Sequence, residues 1–259
     1  MQRVDRSLVK TAPKGPGVYF MYSDNGLLLY VGKAKSLRKR LASYWRRSSE
    51  ESRKLERMKR VVTRVEWQET ESEKAALLLE NSLLREHRPF FNVFNTRPEN
   101  YPYLIFSRGS AVEGRILCRL YSTRKPKALT EKDALYGAFR SRRLPGLTAR
   151  TIFRLMKILQ SSRQRWMLLS KIEISALKAF LAGTRSHFVS ELYGKLWEHG
   201  CFEDPLMAKQ LDSDFTMLRL FFENCARKNF KIKRDLGLDS ALIEQDKVDD
   251  LIVEMNFKE

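Results

Sequence analysis

The first ordered pattern in the chain is a pair of short β-rich runs near its amino end. Residues 17–23 (GVYFMYS) and 28–33 (LLYVGK) flank the sequence DNG, which is typical of tight turns because Asn and Gly tolerate positive φ angles. The pattern predicts a β-hairpin. Alternating apolar positions at residues 61–67 predict a third strand, so we expect a small antiparallel sheet of three strands.

Two helical patterns accompany these strands. The leucine spacing after Ser36 predicts a helix over residues 37–44. Thr70 and Glu73 have the spacing of a capping box, and the leucine-rich run behind them predicts a second helix of about fifteen residues. Pro89 would end it.

The remainder of the chain changes from strands to helices. Strands are predicted at residues 103–108 and 115–121, as an extension of the first region. Helical apolar spacing is found at residues 133–140, 148–160, 174–181, 187–198 and 206–226. The last twenty residues are acidic and amphipathic, and form either a helix or a loosely held tail.

These patterns predict an α+β protein. Residues 1–105 would form a small domain with a central three-stranded antiparallel sheet flanked by helices. Residues 106–160 would be an extension or linker, and residues 161–259 a mainly α-helical domain that is a candidate for partner binding.

Charge adds a first indication of function. The chain carries a net charge of +18, and residues 1–150 hold 32 Lys and Arg against 15 Asp and Glu, whereas residues 151–259 hold 17 against 16. A basic field of this size attracts a polyanion and makes binding steeply dependent on salt. A basic protein of the ribosomal type remains an alternative on charge alone.

The apolar runs, the cysteines and the histidines further limit the classes of protein to which the chain can belong. No stretch approaches 18 consecutive apolar residues and residues 1–14 are charged throughout, so we expect neither a membrane span nor a signal peptide, and a cytoplasmic location. Cys118, Cys201 and Cys225 lie far apart in the sequence, as do the three histidines. We therefore predict no disulfide framework and no Cys/His metal cluster.

Several residues near the predicted hairpin could together hydrolyse a phosphodiester. That reaction needs an activated water and stabilisation of the charge on the phosphoryl oxygens. Tyr19 and Tyr30 lie on adjacent strands, Lys33 comes just before the first helix, and Arg40 is one turn inside it. Glu80 lies within a leucine-rich run, where a carboxylate is costly unless a cation or a metal compensates it. An exposed stripe on an amphipathic helix is the alternative for Glu80.

The same residues carry a family resemblance. GVY at 17–19, YVGK at 30–33, the helix with Arg40, then Glu80 and Asn92 resemble the ordered signature of the GIY-YIG nuclease superfamily. The resemblance is to the branch formed by excinuclease UvrC and its short homologue Cho. It also covers GPGVY at 15–19, LYVGKAKSLRKRLASY at 29–44, ALLLENSLLREHRPFFNV at 76–93, YPYL at 101–104 and YGAF at 136–139.

The sequence departs from that branch further along the chain. Residues 179–203 are only loosely similar to a helical hairpin that interacts with UvrB, and Pro205 breaks the usual pattern. The branch's cysteine cluster is missing, as are the second nuclease domain and the helix-hairpin-helix modules. We therefore expect a single incision.

The resemblance implies roles for the metal and the water. Glu80 would be the ligand of one Mg²⁺ or Mn²⁺ ion, held largely through waters. Tyr30 would be the general base or would orient the water, with its phenol pKa lowered by Lys33 and by the metal ion.

It also implies supporting roles. Tyr19 would position the water or the phosphate, and Arg40 would stabilise the phosphoryl charge. Tyr44 would contact phosphate or pack beneath Arg40, Asn92 would bind backbone at the wall of the site, and Gly32 would allow a close approach to phosphate. Phosphate contacts are expected from Lys35, Arg38, Lys39, Arg46 and Arg47.

The function predicted in this way is metal-dependent endonuclease cleavage of double-stranded, damaged DNA. The resemblance implies the 3′-side incision of nucleotide excision repair, with a UvrB-like loader as a possible partner. A mobile-element or restriction-type GIY-YIG nuclease is one alternative. A non-catalytic basic DNA-binding adaptor on the same fold is the other.

Overall fold

The computed structural model describes residues 10–44, 53–127, 129–160, 166–238 and 242–258. The chain divides into two compact units, and each has its own sheet. The first unit comprises residues 1–98 and 249–259, and the second comprises residues 99–248. The predicted α+β class is confirmed.

The first unit contains a three-stranded antiparallel sheet. β1 (Gly17–Tyr22) lies in the centre and pairs with both β2 (Leu28–Ala34) and β3 (Arg64–Glu69), in the order β2-β1-β3. The hairpin and the three-stranded sheet predicted from the sequence are confirmed.

Two helices lie between β2 and β3 in the sequence, and a third follows β3. α1 spans Leu37–Tyr44, α2 spans Arg53–Val61 and α3 spans Glu73–His87. The predicted start of the third strand at residue 61 is wrong, because Val61 ends α2. Leu55, Met58 and Val62 are spaced as a helix requires, and Met58 and Val62 are buried.

The capping box predicted for α3 is also wrong, although the helix has the predicted length. Ser72, not Thr70, is the N-cap residue, and its hydroxyl accepts a hydrogen bond of 3.0 Å from the amide of Ala75. Thr70 donates its hydroxyl to the carbonyl of Ser72 instead. The helix ends as predicted just before Pro89, with Arg88 in the left-handed region at a φ of 46°.

The apolar core of the first unit fixes α1 to the sheet. Leu37 and Leu41 are completely buried and belong to one cluster with Tyr19 and Met21 of β1. Burying a leucine side chain stabilises a fold by about 1.5–3 kcal/mol, so these two contacts set the position of Arg40 between them.

A helix from the carboxyl-terminal part of the chain, α9 (Val248–Asn256), packs against α3 within the first unit. The carboxylate of Asp250 accepts two hydrogen bonds from Arg85, of 3.1 and 2.9 Å, and a third of 2.9 Å from the side-chain amide of Asn81. Asn81 is the neighbour of Glu80 and is itself buried. These hydrogen bonds to Asp250 therefore hold α3, the helix that carries Glu80, against α9.

The second unit contains a four-stranded antiparallel sheet in the order β6-β4-β5-β7. Its strands are β4 (Tyr103–Val112), β5 (Arg115–Thr123), β6 (Asp133–Tyr136) and β7 (Met167–Leu169). The two strands predicted here are confirmed. The helix predicted at 133–140 is wrong, because residues 133–136 pair with β4 and Gly137 has a φ of +115°, which ends regular structure.

The helices of the second unit agree with the remaining helical predictions. Phe106 of β4 shares one apolar core with Phe180 and Phe221 of the helices, so the strands and helices of residues 99–248 form one unit. The predicted boundaries at residues 105 and 160 do not coincide with the boundary between the two units. No helix among the described residues has the length and apolar character needed to cross a membrane. The helices are α4 (Leu144–Gln160), α5 (Lys171–Ala182), α6 (His187–Glu198), α7 (Pro205–Phe221), a π-helical turn (Phe222–Ala226) and α8 (Arg227–Leu236).

Candidate active site

The hairpin places Tyr19 and Tyr30 side by side on one face of the sheet. In the register of β1 and β2, Tyr19 is opposite Gly32 and Met21 is opposite Tyr30. Residues directly opposite in an antiparallel pair project to the same face. The two phenol rings accordingly lie with their centroids 6.0 Å apart.

Gly32 gives the Tyr19 ring its space. A Cβ atom at residue 32 would lie 2.4 Å from the Tyr19 hydroxyl and 2.9 Å from Cε1 of Tyr30. Both distances are shorter than a non-bonded contact allows, so a side chain here would displace one of the phenols. From the sequence, Gly32 was expected to make room for phosphate, whereas in the structure Tyr19 takes that room.

Tyr19, Tyr44 and Arg40 form a hydrogen-bonded cluster. The hydroxyls of Tyr19 and Tyr44 are 2.7 Å apart, and Nε of Arg40 donates to the Tyr19 oxygen at 3.2 Å. The guanidinium carbon of Arg40 is 5.1 Å from the centroid of the Tyr44 ring. Tyr19 is completely buried, so its hydroxyl holds Arg40 and Tyr44 in place and is closed to solvent.

Tyr19 and Tyr30 are protonated at neutral pH, because the pKa of each phenol is raised. Burial raises the pKa of Tyr30, and the neighbouring Tyr44 and Glu80 raise it further, while a hydrogen bond with Tyr19 lowers it. Burial likewise raises the pKa of Tyr19. The predicted lowering of the Tyr30 pKa by Lys33 is wrong, because Lys33 projects to the opposite face of β2.

Glu80 reaches the hairpin from α3. One of its carboxylate oxygens accepts a hydrogen bond of 3.1 Å from the backbone amide of Lys33. Burial raises the pKa of Glu80, although this hydrogen bond and the positive charges of Lys33 and Arg40 act in the opposite direction. Glu80 is therefore a largely enclosed carboxylate within the electrostatic reach of two cations and of Tyr30.

The chemistry of these donors fits a hard divalent cation. Among the described residues, no group of three or more His, Cys, Asp and Glu side chains comes together in a way that could hold a metal. Glu80 could thus supply a carboxylate oxygen while water and phosphate oxygens fill the other positions. Mg²⁺ is bound in this way in many phosphate-processing sites, because it keeps several of its waters.

The segment that follows α3 is fastened to β2. Asn92 accepts a hydrogen bond of 3.0 Å from the amide of Val31 through Oδ1 and donates one of 2.8 Å to the carbonyl of Val31 through Nδ2. The amide of Phe91 donates to the carbonyl of Leu29 at 2.9 Å. These bonds fix the wall of the site next to Tyr30.

Two of the predicted phosphate-binding or catalytic cations are engaged by an acidic residue of α3. Nζ of Lys33 is 3.0 Å from Oε1 of Glu73, and Nζ of Lys35 is 2.8 Å from Oε2 of Glu73. The main contribution of Lys33 to the site's geometry is thus its backbone amide, which holds Glu80.

The other predicted phosphate contacts have different surroundings. Nε of Arg38 donates to the carbonyl of Ala12 at 2.7 Å, which orients its guanidinium, and Lys39 is exposed. Arg46 and Arg47 lie outside the described residues.

Lys54 of α2 is a neighbour of the site that the sequence analysis missed. Its ammonium nitrogen is 5.5 Å from the centroid of the Tyr30 ring, within the range of a cation–π contact. The helical spacing of Leu55, Met58 and Val62 could have revealed α2 and with it Lys54.

Comparisons with known proteins agree with the geometry of this site. Residues 15–93 match the family model of the UvrC-like GIY-YIG domain. The UvrABC system protein C of a Cyanothece species is 39% identical over 133 residues, which are 51% of this chain and 20% of that protein. The protein of the same name from Microcystis aeruginosa is 35% identical over 162 residues, which are 62% of this chain and 25% of that protein.

A solved structure also resembles part of the chain. It is the GIY-YIG N-terminal endonuclease domain of UvrC from Thermotoga maritima, bound to magnesium as its catalytic divalent cation. The match covers 34% of this chain and 94% of that domain, with 34% identity and a TM-score of 0.31.

The resemblance predicted from the sequence is confirmed for residues 15–93, which match the model of the UvrC-like GIY-YIG domain. The chain spans only a fifth to a quarter of the length of the two relatives named above.

Proposed function

We propose that this protein is a metal-dependent DNA endonuclease that hydrolyses a phosphodiester bond. The observation that carries the proposal is the position of Glu80, whose carboxylate is held by the Lys33 amide within the electrostatic reach of Tyr30 and Arg40. Burying a carboxylate disfavours its ionised form, and a bound cation would offset that cost. A bound cation would therefore explain why a carboxylate is buried at residue 80.

Glu80 would hold one Mg²⁺ or Mn²⁺ ion. Such an ion polarises a phosphoryl oxygen and lowers the pKa of a bound water. Among the residues that the structure describes, this site holds a single carboxylate, which supports one ion rather than two, because two-metal sites need several clustered acids.

The remaining residues of the cluster would act on the phosphate and the water. Hydrolysis forms a bond from the water oxygen to phosphorus, breaks the bond to the leaving oxygen and releases the water proton. Arg40 binds Tyr19 through Nε, so its terminal nitrogens are oriented by that bond to stabilise the phosphoryl charge. Tyr30, protonated at neutral pH, orients the water, and it accepts the proton only where further positive charge lowers its pKa.

The substrate and context proposed are damaged double-stranded DNA and the 3′-side incision of nucleotide excision repair. Two relatives named UvrABC system protein C support this context, and the net charge of +18 suits a polyanionic substrate. A UvrB-like loader is the partner proposed, and the cytoplasm is the location.

A nicking assay tests the proposal. The substrate is a duplex with one bulky adduct, incubated with Mg²⁺, with and without a UvrA/UvrB loading system. We expect the wild-type protein to cut 3′ of the adduct when the loader is present. Glu80→Gln should lower the nicking rate at least about a hundredfold while DNA binding is retained. Glu86→Gln is the matched control, because Glu86 is an exposed carboxylate on the same helix, and it should cut normally.

Other results would replace the proposal. Loader-independent cutting of undamaged DNA at one sequence would indicate a mobile-element or restriction-type nuclease. DNA binding that EDTA does not change, without nicking at any metal concentration, would indicate a non-catalytic adaptor. Full activity of Glu80→Gln would remove Glu80 from the metal site.

A further inference from the structure

The segment after α3 exposes apolar side chains beside the candidate active site. Phe90 and Phe94 are each 79% exposed and Val93 is 58% exposed. An exposed phenyl ring gains nothing from the hydrophobic effect in the free protein. Neighbouring exposed apolar side chains are a feature of binding sites.

The ring of Phe90 is held in a defined place. Its neighbour Phe91 packs on the core of the first unit and binds the carbonyl of Leu29, and Asn92 binds the backbone of Val31 on both sides. The rings of Phe90 and Phe91 meet edge to face with centroids 5.1 Å apart. An aromatic side chain presented by an anchored backbone loses little entropy when it binds a partner.

Phe90 faces a row of cations across a groove of about 550 Å³. We call it the basic groove. Within the described part of the chain, none of its cations forms an ion pair with an acidic side chain. The residues that line the basic groove include Phe90, the acidic Glu56 and the cations Arg53, Lys54, Arg57 and Arg60 of α2.

The basic groove adjoins the candidate active site through Lys54. Lys54 lines the groove, and its ammonium nitrogen is also 5.5 Å from the centroid of the Tyr30 ring. Whatever occupies the groove therefore lies next to the proposed position of the scissile phosphate. A DNA strand that passes Tyr30 would extend into it.

We propose that the basic groove binds unpaired nucleotides next to the scissile phosphate, with Phe90 stacked on a base and the α2 cations on the phosphates. This inference rests on the proposed function and adds a substrate class, namely duplex DNA that is locally opened beside the incision. Base faces are covered by their neighbours inside an intact duplex, whereas an unpaired base presents a free face on which an exposed ring can stack. A cationic groove with an aromatic platform is the arrangement by which proteins bind single strands of any sequence.

The test measures DNA affinity by fluorescence anisotropy, with wild-type protein in EDTA so that no cutting occurs. Two labelled DNAs of equal length are compared, a full duplex and the same duplex with a short unpaired bubble. Phe90→Ala should weaken binding of the bubble about tenfold, the effect of losing one stacked base, and change binding of the duplex by less than about twofold. Phe90→Trp should keep the preference for the bubble.

Control variants separate the ring from the charges. Phe94→Ala removes a phenyl ring of equal exposure that is not part of the groove lining, and it should change neither affinity. The double variant Arg57→Gln/Arg60→Gln should weaken binding of both DNAs and lower the slope of log K against log salt by about two.

Three results would overturn the inference. They are an unchanged affinity of Phe90→Ala for both DNAs, an equal loss on both DNAs, and a loss of binding to a protein partner with both DNA affinities intact. Absence of any DNA binding by the wild-type protein would instead count against the proposed function. If the wild-type protein binds and nicks duplex DNA normally and Phe90→Ala changes neither affinity, only the role of the basic groove is overturned.

Discussion

The proposed catalytic face of the hairpin depends on the absence of a side chain at residue 32. Tyr19 fills that space and fixes Arg40 and Tyr44 through its hydroxyl. The sequence motif was sufficient to nominate these residues. It could not show that Tyr19 is buried, nor that burial raises the pKa of Tyr30, because both depend on neighbours from several elements.

Gly32→Ala should therefore damage both stability and catalysis. The added methyl group would overlap the Tyr19 hydroxyl, and relief of such overpacking typically costs about 1–3 kcal/mol. Urea unfolding should show this loss, and the nicking rate should fall because Arg40 loses its anchor. Gly194→Ala is the control: no atom lies within 4 Å of a Cβ there, and alanine favours the helix by roughly 0.5–1 kcal/mol. Equal stability of Gly32→Ala and the wild type would contradict the packing argument.

The raised pKa of Glu80 has a consequence for stability in the absence of metal. A carboxyl with a raised pKa in the folded state contributes stability that is present below its unfolded pKa of about 4.3 and is lost as pH rises through the folded pKa. In EDTA, Glu80→Gln should therefore be more stable than the wild type at pH 7.5. The two proteins should converge below about pH 4.

Urea unfolding at both pH values measures this difference. Addition of Mg²⁺ at pH 7.5 should then stabilise the wild type and leave the variant unchanged, because only the carboxylate binds the ion. A variant that is less stable than the wild type at pH 7.5 in EDTA would show that burial does not disfavour the charged form of Glu80.

At the scale of elements, periodicity predicted the hairpin, α1 and α3 because their apolar positions are frequent and regular. It missed α2, where charged residues surround Leu55 and Met58, and it assigned a helix to residues 133–136, which form β6. A four-residue strand is defined by its pairing with β4 rather than by its own sequence. The contact between α9 and α3 could not be predicted from the sequence either, because it joins residues 169 positions apart.

The brace between α9 and α3 should be measurable by mutation. Asp250→Ala leaves Arg85 and Asn81 without their carboxylate partner, and loss of charged hydrogen bonds in a partly buried place costs about 1–3 kcal/mol. Glu254→Ala is a control on the same helix, because the more exposed pair of Glu254 with Lys74 contributes at most about 1 kcal/mol. Urea unfolding of both variants compares them. Similar losses would mean that Asp250 has no special part in holding α3.

At the scale of the whole molecule, the positive charge is shared between the units. Residues 1–98 and 249–259 hold 22 Lys and Arg against 15 Asp and Glu, and residues 99–248 hold 27 against 16. The sequence alone suggested that the positive charge lies mainly in one region, residues 1–150. Residues 99–150 belong to the second unit, so this charge is divided between both units. Both units therefore carry a surplus that favours nucleic acid.

The separate cores predict a local response to metal. The apolar cluster of the first unit contains residues 12–65 and that of the second contains residues 104–226. Mg²⁺ bound by Glu80 should slow amide hydrogen exchange within residues 15–93 and leave residues 104–226 unchanged. Mass spectrometry of peptic peptides, with Glu80→Gln as the control, measures this. Equal slowing in both regions would place the metal elsewhere or show that the units respond together.

The division of the first unit between residues 1–98 and 249–259 has a consequence for protein synthesis. The ribosome adds 151 further residues after Pro98 before it adds Asp250, an interval of roughly 8–30 s at ordinary elongation rates. During that interval the nascent chain carries Glu80 on a helix whose Arg85 and Asn81 still lack Asp250. The order of translation thus delays completion of the first unit until the second unit has been synthesised.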